Sequence, residues 1–181
     1  TLWSANAILD KNYHKLVLDT HVDFIKAGAE IIVTTTFATR QKRLKENNLL
    51  NKFEYLNQKA GEIAQTAKRQ FPNTYIAGGI PPQNLTYEAD DRDEAKITEN
   101  FKSQAKVLNP YVDFFYFDVW SSVKEVKCGI EAIKEFKKPY LVGLHVSEGT
   151  TLPSGEKIKD VKKIIYENDL GVLLSLALIH I

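Results

Sequence analysis

Residues 29–41 read "AEIIVTTTFATRQ": a short apolar run that stops at three threonines instead of a glycine, asparagine or proline. Ile31, Ile32 and Val33 are β-branched, which favours a pleated strand over a helix. A strand that is apolar on both faces belongs inside a parallel sheet with helices packed on it. A helix over about 13–27 precedes it, with Leu16, Val17, Val22, Phe24 and Ile25 at three- and four-residue spacings and Gly28 as its stop. Residues 34–36 then fall just past the strand's carboxyl end, where folds of this kind gather their binding groups. A threonine there also suits a strand or a helix cap.

The same alternation runs outward along the chain. Further strands are expected at "TYIAGGI" (74–80), "VDFFYFDVW" (112–120), "PYLVGLHV" (139–146) and "LGVLLSLALIHI" (170–181). Helices are expected at about 41–47, 51–70, 93–108, 123–136 and 159–167, and two loops, 81–91 and 147–158, lie between them. Strands separated by helices fit an open doubly wound sheet or a closed (β/α)₈ barrel. No glycine fingerprint follows the first strand, which weighs against a dinucleotide-binding sheet. A closed barrel takes eight strands and about 250 residues. This α/β chain of 181 residues offers five of the eight strands. It therefore reads as one partial TIM barrel domain over 1–181, a fragment without the first strand and the C-terminal strands. The absence of any methionine fits that reading.

Apolar residues make up 44% and charged residues 26%, a soluble globular profile. A net charge of +1 gives no electrostatic footprint for nucleic acid. The apolar runs fall short of the ~20 residues a membrane-spanning helix needs, and no secretory leader opens the chain. A lone cysteine, Cys128, excludes an internal disulfide and suits a reducing, cytoplasmic setting. It lies mid-helix without a histidine or second cysteine near it, as a packing thiol would. His14 and His21, seven apart on one helix, are expected at the surface.

The strand ends collect Thr34, Thr35, Thr36 and Phe37, then Gly78, Gly79 and Pro81, then Asp118 and Trp120, then His145, Ser147 and Glu148. Paired glycines either ease packing or let a ligand reach the backbone. His145 is either an acid–base group, a metal ligand or, as is commoner for a lone strand-end histidine, a hydrogen-bonded structural residue. Asp118 follows "FFYF", so its carboxylate must meet a cavity, a cation or a donor, because an unpaired buried charge is costly. Ser121 and Ser122 already supply helix caps, which leaves Asp118 free for function.

Several of these segments together resemble the homocysteine S-methyltransferase family: "LWSANAIL", "HVDFIKAGAEIIVTTTF", "AGGIPP", "DFFYFDVWSSVKEV" and "GTTLPSGEKI". The resemblance implies a zinc-dependent (β/α)₈ barrel that transfers a methyl group from a donor to the zinc-activated thiolate of homocysteine, forming methionine. By position, it implies that Thr36 and Phe37 line the homocysteine site. Asp118 stands where the family has a glutamate holding the substrate's amino group, Val119 replaces a threonine, and Gly79 replaces a serine. The family's zinc ligands are three cysteines, and Cys128 matches none of them. Zinc is thus expected of a full-length member, with no metal ligand expected in this chain, which alone should be inactive. The partners implied are homocysteine and a methyl donor, with neither nucleic acid nor membrane; the sequence names neither the donor nor an oligomeric state. Two rivals remain. A Schiff-base lyase on the same scaffold needs a strand-end lysine, which is missing. A diverged, non-enzymatic barrel would bind a small amino acid without zinc.

Overall fold

The structure is a computed structural model that describes residues 2–165 and 169–176. Five strands form one parallel sheet in sequential order: β1 (Ile31–Val33), β2 (Tyr75–Ile80), β3 (Phe114–Trp120), β4 (Tyr140–Val146) and β5 (Asp169–Leu176). Each strand pairs with the next in the chain. That order is an arc of a β/α barrel and differs from the reversed order of a doubly wound sheet.

Among the described residues, seven α-helices lie between and before these strands: α1 (Ala5–Leu9), α2 (His14–Lys26), α3 (Gln41–Glu46), α4 (Phe53–Gln70), α5 (Glu94–Leu108), α6 (Val123–Ile133) and α7 (Ile158–Val161). Asp93 caps α5 by accepting from Lys96 N–H at 2.9 Å, and Ser122 caps α6 through Glu125 N–H at 3.1 Å. The expected helix over 159–167 is α7 and ends sooner; residues 166–168 of that expectation lie outside the described residues, as do 177–181 of the last expected strand. Helix α1 was not expected, since five residues are too few to display a helical period. Its buried Ala5 and Ile8 join Val17, Leu44 and Leu56 in a small cluster under α2, α3 and α4.

Register sorts the sheet into two faces. Ile32, Ile76, Ile80, Phe115, Phe117 and Val142 face the helices and form the main core with Phe101, Leu108 and Trp120. The fully buried Trp120 stacks on Phe117 and Phe101, with ring centroids 4.1 and 4.2 Å away. Its indole N–H donates to the Ile80 carbonyl at 2.9 Å. Helix α6 approaches so closely that a Cβ on Gly129 would sit 2.0 Å from the Trp120 ring. Val33, Ala77, Gly79, Tyr116, Leu141, Gly143 and Leu173 share the opposite face. Ala77, Gly79 and Gly143 are interspersed there with larger side chains, and Val33 and Leu173 remain 39% and 48% exposed.

His21 departs from expectation. It is buried, its imidazole held below the usual histidine range by desolvation. Its helical face is the one α2 turns toward β1, so the seven-residue spacing marked packing rather than surface. His14 is half-buried, and its Nε2 pairs with the Ile8 carbonyl at 2.8 Å.

Candidate functional site

The threonines end β1 by a change of acceptor. Tyr75 N–H donates to the Glu30 carbonyl, and Thr34 N–H still donates to Ala77 O in the same ladder. One step later the Thr34 carbonyl has turned to accept Thr36 N–H at 2.8 Å. The Thr34 hydroxyl takes its place on the sheet, accepting Gly79 N–H at 3.0 Å. The Thr36 hydroxyl donates to Gly79 O at 2.6 Å and shares a 2.9 Å bond with Thr34 Oγ1. Thr36 is fully buried and Thr34 nearly so, and both polar groups of Gly79 are satisfied by them. A glycine, asparagine or proline could not have supplied this side-chain clasp, because only a short hydroxyl reaches back to the adjacent strand.

A buried amide network fixes the turn that follows. Gln104 of α5 donates to the Thr36 carbonyl at 3.1 Å and to Asn57 Oδ1 at 2.9 Å. Thr39 donates to the same Asn57 oxygen at 2.7 Å, and Gln83 donates to Gln104 Oε1 at 2.8 Å. The 3₁₀ turn Phe37–Thr39 is thereby tied to α4 and α5, which sets the place of Phe37. Sequence reasoning missed this network, because its members are separated by 18 to 68 residues.

Asp118 sits at the end of β3, where the strand is broken. Register with β4 shifts between Phe117 and Trp120, and Val119 has a φ of 54°. Left-handed backbone is a strong outlier for a β-branched side chain. The bulge re-aims Asp118, as bulges beside functional sites do. The phenol of Tyr116, two residues earlier, donates a hydrogen bond to the Asp118 carboxylate. Burial pushes the Asp118 carboxyl up, opposed by that bond, and pushes the Tyr116 phenol well above its ordinary range. Gly143 makes room for this pair: a Cβ there would lie 2.8 Å from the Tyr116 hydroxyl. Tyr116 was not among the sequence candidates. The signal was available, since residues two apart on a strand share a face.

Thr36, Gly79 and Asp118 lie at the carboxyl ends of three consecutive strands, and Phe37 opens the turn that follows the first of them. Thr36 touches Gly79, Gly79 is the register partner of Tyr116, and Tyr116 bonds Asp118. Buried His145 of β4 stands nearby, its ring 4.7 Å from that of Tyr87. Below them, Glu125 of α6 is fully buried, with Oε2 accepting from Ser122 Oγ at 2.8 Å and Ser121 N–H at 3.2 Å. Burial pushes its carboxyl up to about 7.

Among the described residues, no three His, Cys, Asp or Glu side chains lie close enough to hold a metal. The Cys128 thiol is packed between α5 and α6, donates weakly to the Glu94 carbonyl and is pushed up by burial. These residues do not fit a zinc centre. None of the described helices is long and apolar enough to cross a membrane.

The profile of the homocysteine S-methyltransferase family matches residues 1–178. The chain is 29% identical to the mouse S-methylmethionine–homocysteine S-methyltransferase BHMT2, over 78% of this chain and 36% of that protein. It is 26% identical to homocysteine S-methyltransferase 2 of Saccharomyces cerevisiae, over 94% of this chain and 54% of that one. The metallated homocysteine methyltransferase MmuM of Escherichia coli superposes with a TM-score of 0.85 at 16% identity, over 96% of this chain and 66% of that chain. The likeness to MmuM bears out the α/β, partial-barrel reading. The chain spans about a third to a half of the curated relatives it matches. With a family profile aligned along almost all of its length, the chain belongs to the homocysteine S-methyltransferase family.

Proposed function

We propose that this chain forms the amino-acid-binding part of a cytoplasmic homocysteine S-methyltransferase, a single partial barrel within a longer fold that makes methionine. The overall reaction is a displacement. A lone pair on the homocysteine sulfur forms the new S–CH₃ bond as the bond from methyl to donor breaks, and the sulfur's proton is lost. A donor of the kind named in the mouse relative, S-methylmethionine, supplies the methyl group.

One observation carries the assignment: a carboxylate, Asp118, raised in proton affinity by burial and held by a phenol, at the open end of β3 beside the Thr36–Gly79 clasp. An ammonium group placed there would relieve that burial by charge pairing. Asp118 is the amino-group acceptor in this reading. Phe37 supplies an apolar wall, and Gly79 leaves the room that Val33 and Thr36 fill. Thr36 acts through Gly79, whose carbonyl it holds, since its own hydroxyl is turned to the protein. No step is assigned to a metal, because the described residues do not fit one.

Calorimetric titration of L-homocysteine into the chain tests this. Asp118→Asn and Asp118→Ala should each weaken binding by about tenfold or more, the loss of one charge-assisted bond, and Asp118→Glu should retain it. Unchanged affinity in Asp118→Ala would remove the assigned role.

A further inference from the structure

The first turn of α6 ties down the loops on both sides of β3. From the β2–α5 loop, residues 81–93, Asp90 N–H reaches the Glu125 carboxyl, and the Arg92 carbonyl accepts from Lys124 Nζ at 2.9 Å. From the β4–α7 loop, residues 147–157, Ser154 N–H donates to the Ser121 carbonyl at 3.2 Å, and Glu156 Oε2 accepts Val123 N–H at 2.9 Å. Both loops leave the carboxyl ends of strands adjacent to β3. The stretch that holds them begins at Ser121, three residues after Asp118. The β2–α5 loop also carries Tyr87, whose ring packs on His145 near the end of β4.

The acids in this cluster are served unequally. Arg92 grips Asp90 through Nε and Nη2 at 2.6–3.1 Å, and the Ser154 hydroxyl donates to Glu156 at 2.7 Å. Lys124 is committed to the Arg92 carbonyl, so neither cation neutralises Glu125. Glu125 has its partners at Oε2, while its Oε1 and the Ser121 hydroxyl are buried without partners among the described residues. Asp90, 2% exposed, faces it with a charge of the same sign. Burial and that charge both favour the neutral acid. Ionisation needs water at the carboxyl. Ser121, Ser122 and Glu125 are fixed by β3 and α6, whereas Asp90 stands on a loop with neither helix nor strand, so that loop is the part that can lift.

We propose that Glu125 is a proton-operated latch: its neutral carboxyl holds the β2–α5 loop down beside the end of β3, and its ionisation releases that loop. The charged groups around it are Asp90, which opposes ionisation, Arg92 and Lys124, which are turned to other acceptors, and Glu156 on the opposite loop. The closed-state carboxyl titrates at about 7, against 4.5 for an exposed one. The latch is therefore fully held below pH 4.5 and weakens until pH has risen past about 7. It does not rest on the methyl-transfer reading. Asp118→Ala in the homocysteine titration tests that reading, whereas loop opening is measured without ligand.

The test is hydrogen–deuterium exchange on the 181-residue chain, read by NMR at about pH 5 and about pH 7.5, either side of most of that range, and corrected for intrinsic base catalysis. The Asp90 N–H should exchange faster than the core amides of α4, the mark of local opening. Its protection should fall by at least about tenfold between the two pH values. Glu125→Gln keeps a carbonyl for Ser121 and Ser122 without ionising, and its profile should be flat. A flat parent profile, an equal fall in Glu125→Gln, or an Asp90 N–H as slow as the α4 core would each overturn the proposal. Where Glu125→Gln fails to fold, the pH profile of the parent decides the matter.

Discussion

Replacing Glu125 with glutamine isolates one buried charge. Glu125 is fully buried, and only one of its two carboxylate oxygens has partners among the described residues. Its carboxyl titrates at about 7 in the folded chain against 4.5 for an exposed glutamate, chiefly because burial disfavours the charged form. A raised acid keeps its proton in the folded state while the unfolded state releases it. The associated stability is fully present below pH 4.5 and is lost as pH rises through about 7. At about 1.4 kcal/mol for each tenfold change in proton affinity, that gap amounts to about 3 kcal/mol. Glutamine keeps the shape and a carbonyl for Ser121 and Ser122 but cannot ionise. Urea unfolding of parent and Glu125→Gln at pH 4.5, 6 and 8 gives the difference in stability at each pH. Asp118 and His21 also titrate abnormally, but both proteins share them, so they cancel in the difference. The variant should gain on the parent by about 3 kcal/mol between pH 4.5 and 8. A difference that stays flat across the window would show that Glu125 is ionised in the folded chain and refute the reasoning.

Thr36→Val deletes the hydroxyl that satisfies Gly79 O and Thr34 Oγ1 in a fully buried setting; a loss of about 2 kcal/mol in urea unfolding is expected, with Thr36→Ser much nearer the parent. Gly129→Ala drives a methyl into the Trp120 ring, and should cost about 1–3 kcal/mol and shift the emission of that buried indole. Tyr116→Phe removes the bond that holds the Asp118 carboxyl down. The Asp118 carboxyl signal, followed by ¹³C NMR, should then titrate at higher pH than in the parent, and an unmoved or lowered titration would show that the phenol is not its partner.

The fold was legible where periodicity and punctuation agree. Four of the five strands and helices α2, α4, α5 and α6 lie close to the runs that their apolar spacing marked. β1 is shorter than its run because the Thr34 side chain replaces its own carbonyl in the ladder, a substitution that composition cannot reveal. The positions of Thr36, Gly79 and Asp118 at one end of the sheet were equally legible, since strand ends of a parallel sheet converge by topology alone. Their contacts were not. The sequence treats the three threonines as like hydroxyls facing outward, whereas the structure turns two of them onto Gly79.

The deepest departure is at Asp118, and it explains why a carboxylate after four aromatic and apolar residues is tolerated at all. In a regular strand, Val119 would carry the pleat straight on into β3's last residue. Its left-handed φ inserts a bulge instead, and the register with β4 slips there. Val119 is itself buried, so its packing can hold a conformation that an exposed valine would leave. Gly143 then gives the Tyr116 phenol space on the neighbouring strand, and the phenol supplies the donor that the carboxylate lacks. Strain in one residue, an absent side chain in a second and a hydroxyl in a third act on a single carboxylate. Val119→Gly should therefore keep the bulge and release its strain, which for a left-handed residue amounts to about 1 kcal/mol or more. Equilibrium unfolding should show a net loss of no more than about 1 kcal/mol, because the released strain offsets part of the lost valine packing. A loss of about 2 kcal/mol or more, as for an ordinary buried valine, would mean that the bulge is not strained and that Asp118 is aimed by something else.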